Sequence, residues 1–211
     1  IEPAIGSLKK TKDYQYDGYG NIIRNTFTAN NGYGNESRIK QFVYGSKGRF
    51  VTRATNAVGH ATNQVYENLL GNLTSSIGPN GIRTNFTYDG FGRLKTKTIS
   101  GSANTSYNYV RIGSGNEAYY TETVTQGKPK VRTYTDILGR ETRTLKMGFD
   151  GRWIYVTNIF DAKGHLWKVS DPYYGGTTAR YTVYTYDGLH RISREVAPGN
   201  RVRAISYNGF T

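Results

Sequence analysis

The stretch NFTYDGFGRLKTKTIS, residues 85–100, decides how this chain reads. It places an aromatic residue, then Asp89, two loose residues, Gly92, Arg93 and an aliphatic residue, Leu94. A type I turn prefers a short polar side chain at its first position, where it can bond the backbone two residues on, and Gly at its fourth. In a three-residue hairpin loop that fourth residue takes a left-handed conformation, which Gly enters without a Cβ clash. Asp89 and Gly92 are therefore backbone requirements, and the phrase predicts a β-hairpin.

Strict alternation from that turn predicts a register. Asp89 lies opposite Arg93, Tyr88 opposite Leu94, Thr87 opposite Lys95 and Phe86 opposite Thr96. An acid–base pair and an aromatic–aliphatic pair across strands each contribute about 0.2–1 kcal/mol. Tyr88, Leu94 and Phe86 then share one face, and Thr87, Lys95, Asn85 and Lys97 the other. The same pairing sets Tyr16 against Ile22, Tyr44 against Phe50, Phe160 against Leu166 and Tyr186 against Ile192. Tyr suits such half-buried positions, since its hydroxyl still reaches a polar partner.

The turn recurs along the chain. Asp17 with Gly20, Gly45 with Gly48, Asn56 with Gly59, Asn68 with Gly71, and Gly78 with Gly81 precede Asp89 with Gly92. Asp136 with Gly139 and Asp161 with Gly164 follow, with looser versions at Asp171-Pro172, Asp187 and residues 197–200. Between Gly45 and Asp89 the spacing is about 11 residues, the length of one short strand plus one tight turn. The intervening segments are rich in Thr and aromatics, as strands are, and none carries a useful helical stripe. The expected fold is all-β, an antiparallel meander of short hairpins. Residues 1–211 read as one continuous array, degenerate at about 101–130, where Tyr119–Val124 still reads as a strand, with no separate second domain.

Composition bounds the function. Of 211 residues, 28 are Lys or Arg and 15 Asp or Glu, a formal charge of +13, and 14% are aromatic, which argues against disorder. The charge favours anionic partners in principle. No run of five or six like charges occurs, so a solvated basic surface is the weightier reading. Arg93, Lys95 and Lys97 alternate with Leu94, Thr96 and Thr98, which predicts one basic face on one strand. They are candidate contacts for a glycan or another anion. Their alternative role is to keep a sheet soluble and blunt its edges. No motif for specific nucleic-acid reading is present, and no apolar run approaches membrane-spanning length.

The sequence offers little chemistry. Cys is absent, so no thiolate nucleophile or disulfide exists. His60 and His165 follow turn glycines, and His190 occupies the place of one, so the three are expected far apart, with no metal site. Asp13, Glu36, Glu117, Glu122, Glu141 and Glu195 form no local pair. The GYGN segments at 18–21 and 32–35 lack the Gly-Lys-Ser/Thr of a phosphate loop, and no nucleophile elbow occurs. The expectation is a protein that is not an enzyme and takes no cofactor.

Tyr16-Asp17-x-x-Gly20-Asn21, Tyr88-Asp89-x-x-Gly92-Arg93-Leu94 and Tyr186-Asp187, with the turns at Asn56–Gly59 and Gly78–Gly81 between them, resemble the YD repeats of the Rhs family. The resemblance covers nearly the whole chain and is weakest across 101–130. The family includes Rhs toxins, wall-associated proteins, the B and C subunits of insecticidal toxin complexes, and teneurins. The resemblance implies a long β-sheet spiralling into a hollow shell (a β-shell). It also implies a secreted or cell-surface setting, and as partners the rest of the parent shell with an enclosed toxin domain. An alternative it implies is carbohydrate binding at a cell surface. Residues 170–175, SDPYYG, resemble an Asp-Pro-x-Gly element of self-cleaving family members but carry one residue too many, which argues against cleavage. The chain starts with Ile and stops within a repeated phrase, so a piece of a longer protein is expected.

Overall fold

The computed structural model describes residues 10–30, 34–113 and 115–209; Gly32 and Tyr33 of the second GYGN segment lie outside these. The fold is all-β and antiparallel, with no helix among the described residues. The chain divides into two compact units, residues 1–104 and 105–211. The division falls inside the stretch where the repeat rhythm breaks.

The first unit is a plain meander in which each strand pairs with the next. Its strands are β1 (Lys10–Tyr16), β2 (Ile22–Asn30), β3 (Asn35–Tyr44), β4 (Val51–Thr55), β5 (Ala61–Tyr66), β6 (Leu73–Ile77), β7 (Arg83–Tyr88) and β8 (Leu94–Ile99). The second unit begins with longer strands, β9 (Thr105–Arg111) and β10 (Glu117–Thr125). It continues through β11 (Val131–Asp136), β12 (Glu141–Met147) and β13 (Trp153–Phe160). One end of β13 pairs with β14 (Leu166–Ser170) and the other with the short β15 (Tyr173–Tyr174). β16 (Tyr181–Tyr186) pairs with β14, and β17 (Ile192–Ala197) and β18 (Arg201–Ala204) complete the unit.

The pair that opens each Asp-turn hairpin stands as expected: Tyr16–Ile22, Tyr88–Leu94, Phe160–Leu166 and Tyr186–Ile192. The register beyond it does not. One residue of each outgoing strand is extra, so Thr87 faces Thr96 and Phe86 faces Lys97, with Lys95 as the surplus residue. The Thr87 and Thr96 hydroxyls meet at 2.6 Å, which places them on one face. The same bulge follows Tyr16, Tyr44, Tyr66, Phe160 and Tyr186. In the Asp136 hairpin the first pair is Thr135–Glu141 and the shift again comes next.

A bulge leaves a carbonyl of the partner strand without its ladder bond. Four hairpins satisfy it in one way, by a hydroxyl on the extra residue. Thr52 donates to the Val43 carbonyl at 3.2 Å, Thr74 to Val65 at 3.1 Å, Thr142 to Tyr134 at 3.3 Å and Ser193 to Thr185 at 3.2 Å.

Two turns also run one residue longer than expected. The Gly45 amide bonds the Phe50 carbonyl, so Tyr44 pairs with Val51 and not with Phe50. Gly45 has no carboxylate with which to tie down the amide four residues on. The other longer turn starts at Glu67, one residue before Asn68. The Glu67 amide bonds the Asn72 carbonyl at 2.9 Å, and the Glu67 carboxylate accepts from Leu69, Leu70 and Asn72.

The core is thin. Leu145 is the one apolar residue that is buried among the described residues, and most other apolar strand residues are half covered or exposed. Stability therefore comes from strand pairing and from contacts between successive hairpins.

Candidate functional site

Five Asp turns use one construction, which the Asp171-Pro172 segment does not share: the Asp171 amide bonds the Arg180 carbonyl. Asp89 Oδ1 accepts from the Phe91 and Arg93 amides at 2.9 and 3.0 Å, and the Gly92 amide bonds the Asp89 carbonyl at 3.0 Å. Asp17, Asp136, Asp161 and Asp187 repeat this, as does Asn56 through its amide oxygen. The fourth residues are left-handed: φ is +82° at Gly20, +65° at Gly48, +85° at Gly59, +76° at Gly92, +79° at Gly139 and +87° at Gly164. His190 fills the fourth place of the Asp187 turn with φ +65°.

Burial pushes the Asp89 carboxyl up, but the Arg93 side-chain and backbone bonds and the Phe91 amide together hold it below the usual range. For Glu67 the Asn72 amide is the main cause, aided by Leu69 and Leu70 against a smaller effect of burial. These carboxylates are fixed anions that fasten turns.

The residue after the turn glycine fastens one Asp-type turn to the next. Asn21 Nδ2 donates to the Gly48 carbonyl at 2.7 Å. The Asn72 amide group and the Arg140 guanidinium would lie 3.7 and 3.5 Å from a Cβ on Gly92 and Gly164. Arg140 also bonds Asp136 at 2.7 Å and lies over the Phe160 ring at 4.5 Å. Arg191 bonds Asp187 at 2.9 Å and covers Tyr207 at 4.1 Å. Tyrosine hydroxyls tie the same elements. The Tyr88 hydroxyl donates to the Leu73 carbonyl, Tyr186 to Leu166 and Tyr207 to Ile192, at 2.8, 2.8 and 3.0 Å. Burial raises the Tyr88 and Tyr186 hydroxyl pKa, so both remain proton donors.

Arg93, Lys95 and Lys97 do not share a face. The bulge makes Lys95 the surplus residue and turns Lys97 to the Phe86 side, where it is half-buried. Arg93 bonds Asp89 at 2.7 Å and lies over Phe91. The histidines also depart from expectation. His60 belongs to the first unit, and in the second His165 and His190 meet, Nε2 to Nδ1, at 2.8 Å.

The second unit carries an open groove of about 720 Å³ lined by Glu117, Arg143, Thr157, Asn158, Phe160 and Tyr173, among others. Arg143 bonds Glu117 at 2.7 Å and lies over the Tyr134 ring at 4.2 Å, while its buried Nε has no hydrogen-bond partner. Sequence reasoning missed this groove, because Glu117 and Arg143 lie on strands distant in the chain. It also missed Glu67 and the Thr/Ser bulge residues, though a hydroxyl two residues after Asn72, Arg140 and Arg191 was a readable signal.

Comparison with known families follows the same geometry. Residues 68–105, which span β6 to β8 and include the opening stretch, match the RHS Repeat family model. The chain carries an RHS repeat. Its fold is that of a crystal structure of TcdB2-TccC3-Cdc42, at 12% identity and TM-score 0.65, covering 92% of this chain and 12% of that one. A crystal structure of TcdB2-TccC3 matches at 13% identity and TM-score 0.61, over 89% of this chain and 11% of that one. The chain thus spans about an eighth of the length of the structures it matches. No curated protein matches it.

Proposed function

We propose that this chain is a stretch of repeat wall in a large secreted or surface-displayed Rhs-type protein, and that the wall encloses and carries a toxin domain. The observation that carries this reading is the fastening of neighbouring hairpins by the Tyr88, Tyr186 and Tyr207 hydroxyls and by the Asn21 side chain. Such an array grows by repetition without needing a closed apolar core, which suits a wall. The likeness to TcdB2-TccC3 structures supports the same reading. The two units are consecutive stretches of one array, and the role is structural and not catalytic. The test is limited proteolysis of the parent protein. A region held inside the wall resists protease until Gly92→Val opens a hairpin; equal digestion in both proteins contradicts the reading.

A second reading, glycan binding, is favoured by the groove of the second unit. Its aromatic rings and the partly exposed Glu117–Arg143 pair suit a polyol that stacks on one face and exchanges hydrogen bonds with the paired charges. Glycan-array binding that disappears in Arg143→Ala supports it. The basic residues Arg93, Lys95 and Lys97 are tested separately: heparin retention that is unchanged on replacing all three by Ala removes them from consideration.

A further inference from the structure

We propose that His165 and His190 form a binding site for one first-row transition-metal ion, which would clamp two successive Asp turns together. The two residues are 25 apart in sequence, yet the repeat brings their rings to a centroid distance of 4.8 Å, with His165 Nε2 and His190 Nδ1 at 2.8 Å. Two nitrogens bound to a common ion at about 2.0–2.1 Å, at angles from square to tetrahedral, lie about 2.9–3.4 Å apart. The metal-free spacing is therefore a few tenths of an ångström from a chelating one.

The surroundings prepare His165 as a ligand. Its Nδ1 meets Asp161 Oδ2 at 3.0 Å, so the carboxylate holds the proton on that nitrogen and leaves the Nε2 lone pair free to point at His190. A carboxylate behind an imidazole fixes ring orientation and raises ligand basicity, as behind many metal-bound histidines. The ring is half-buried and stacked on Tyr186 at 4.5 Å, which limits its rotation. His190 is the exposed and adaptable partner. Without metal its Nδ1–H donates to His165. With metal it moves that proton to Nε2 by exchange with water and presents the Nδ1 lone pair, so no net proton is released from the neutral pair.

His190 is also an unusual choice for its place. Its turn position is left-handed, where every other Asp turn of this kind among the described residues has Gly. An imidazole there carries a backbone cost that Gly does not. No set of three His, Cys, Asp or Glu suited to a metal occurs among the described residues. The remaining coordination positions go to water, and selectivity follows the general order with Cu²⁺ ahead of Zn²⁺.

Calorimetry of the chain with CuCl₂ and with ZnCl₂ tests the site. The expected result is one ion per chain, bound more tightly for copper, with affinity reduced at least tenfold in both His165→Ala and His190→Gly. His190→Gly keeps the test decisive, since Gly suits φ +65° and the variant should melt no lower than the parent in the presence of a chelator. His60→Ala should bind as the parent does. Absence of binding, binding unchanged by His190→Gly, or binding that disappears with His60→Ala would each overturn the proposal.

Discussion

The Glu67 and Asp89 hairpins solve one problem with different parts. Both place Tyr before the turn and Leu after it, paired as Tyr66–Leu73 and Tyr88–Leu94. Both use a carboxylate to collect turn amides. The Glu67 turn is one residue longer, and its side chain is one methylene longer, so the carboxylate still reaches the amide at the far side of the loop. Behind the turn, Thr74 closes the bulge with its hydroxyl, whereas Lys95 has none to offer. What these two hairpins share is thus the reach of the carboxylate and the aromatic–aliphatic pair, while their loop lengths differ by one residue.

The largest break in the comparison should come at the glycines. Gly71 has φ +76°, and a Cβ there would fall on the Phe50 ring; at Gly92, with the same φ, the nearest atoms to a Cβ lie 3.7 Å away. Gly71→Val should therefore cost about 3 kcal/mol or more, adding overpacking to left-handed strain. Gly92→Val should cost about 1–3 kcal/mol, and Gly92→Asn less, because Asn tolerates the left-handed region. Thermal melts decide the order, and equal losses at Gly71 and Gly92 would remove the Phe50 contact from the account.

Leu94→Ala should cost about 1–3 kcal/mol for partial loss of apolar burial. Lys95→Ala, at an exposed surplus position, should change the melt little. A smaller effect separates the two bulges. Thr74→Val leaves the Val65 carbonyl without its partner, at about 0.5–1.5 kcal/mol. Lys95→Thr supplies the missing hydroxyl and should stabilise by a lesser amount. If Thr74→Val is neutral, the hydroxyl is incidental to the bulge.

Acid should loosen both turns. Folding lowers the pKa of Glu67 and of Asp89, so their contribution is complete above the unfolded carboxylate range of about 4 and fades as pH falls through the lower folded values. Carboxylate titration by NMR checks this residue by residue. A Glu67 that titrates in the ordinary Glu range would show that its three amide bonds do not persist in solution.

Much of this fold was legible in the sequence because Asp and Gly mark a turn by backbone necessity. Asp89, Asp136 and Asp161 could be placed from the Gly three residues on and Asp187 as a looser version, and the first strand pairs at Tyr88, Phe160 and Tyr186 followed. Glu67 escaped because a turn search expects a short side chain, and Asn68 offered one a residue later in seemingly good phase. The bulge escaped because alternation carries no mark of an inserted residue; that error put Lys95 and Lys97 on one face. The His165–His190 contact was hidden by 25 residues of separation, since His165 follows the turn glycine of one phrase while His190 stands in the glycine's place in the next. Residues after the turn glycine meet the fourth residue of the next Asp-type turn, as Asn21 with Gly48 also shows.

The bulged register is the claim on which the faces, the broken basic strip and the hairpin pairing all depend. The chain contains no Cys, so paired substitutions report on it without interference. Thr87→Cys with Thr96→Cys should oxidise readily to a disulfide, since the native hydroxyls lie 2.6 Å apart. Thr87→Cys with Lys95→Cys should remain reduced under the same conditions. Rapid crosslinking of the second pair and not the first would restore strict alternation and contradict the register described here.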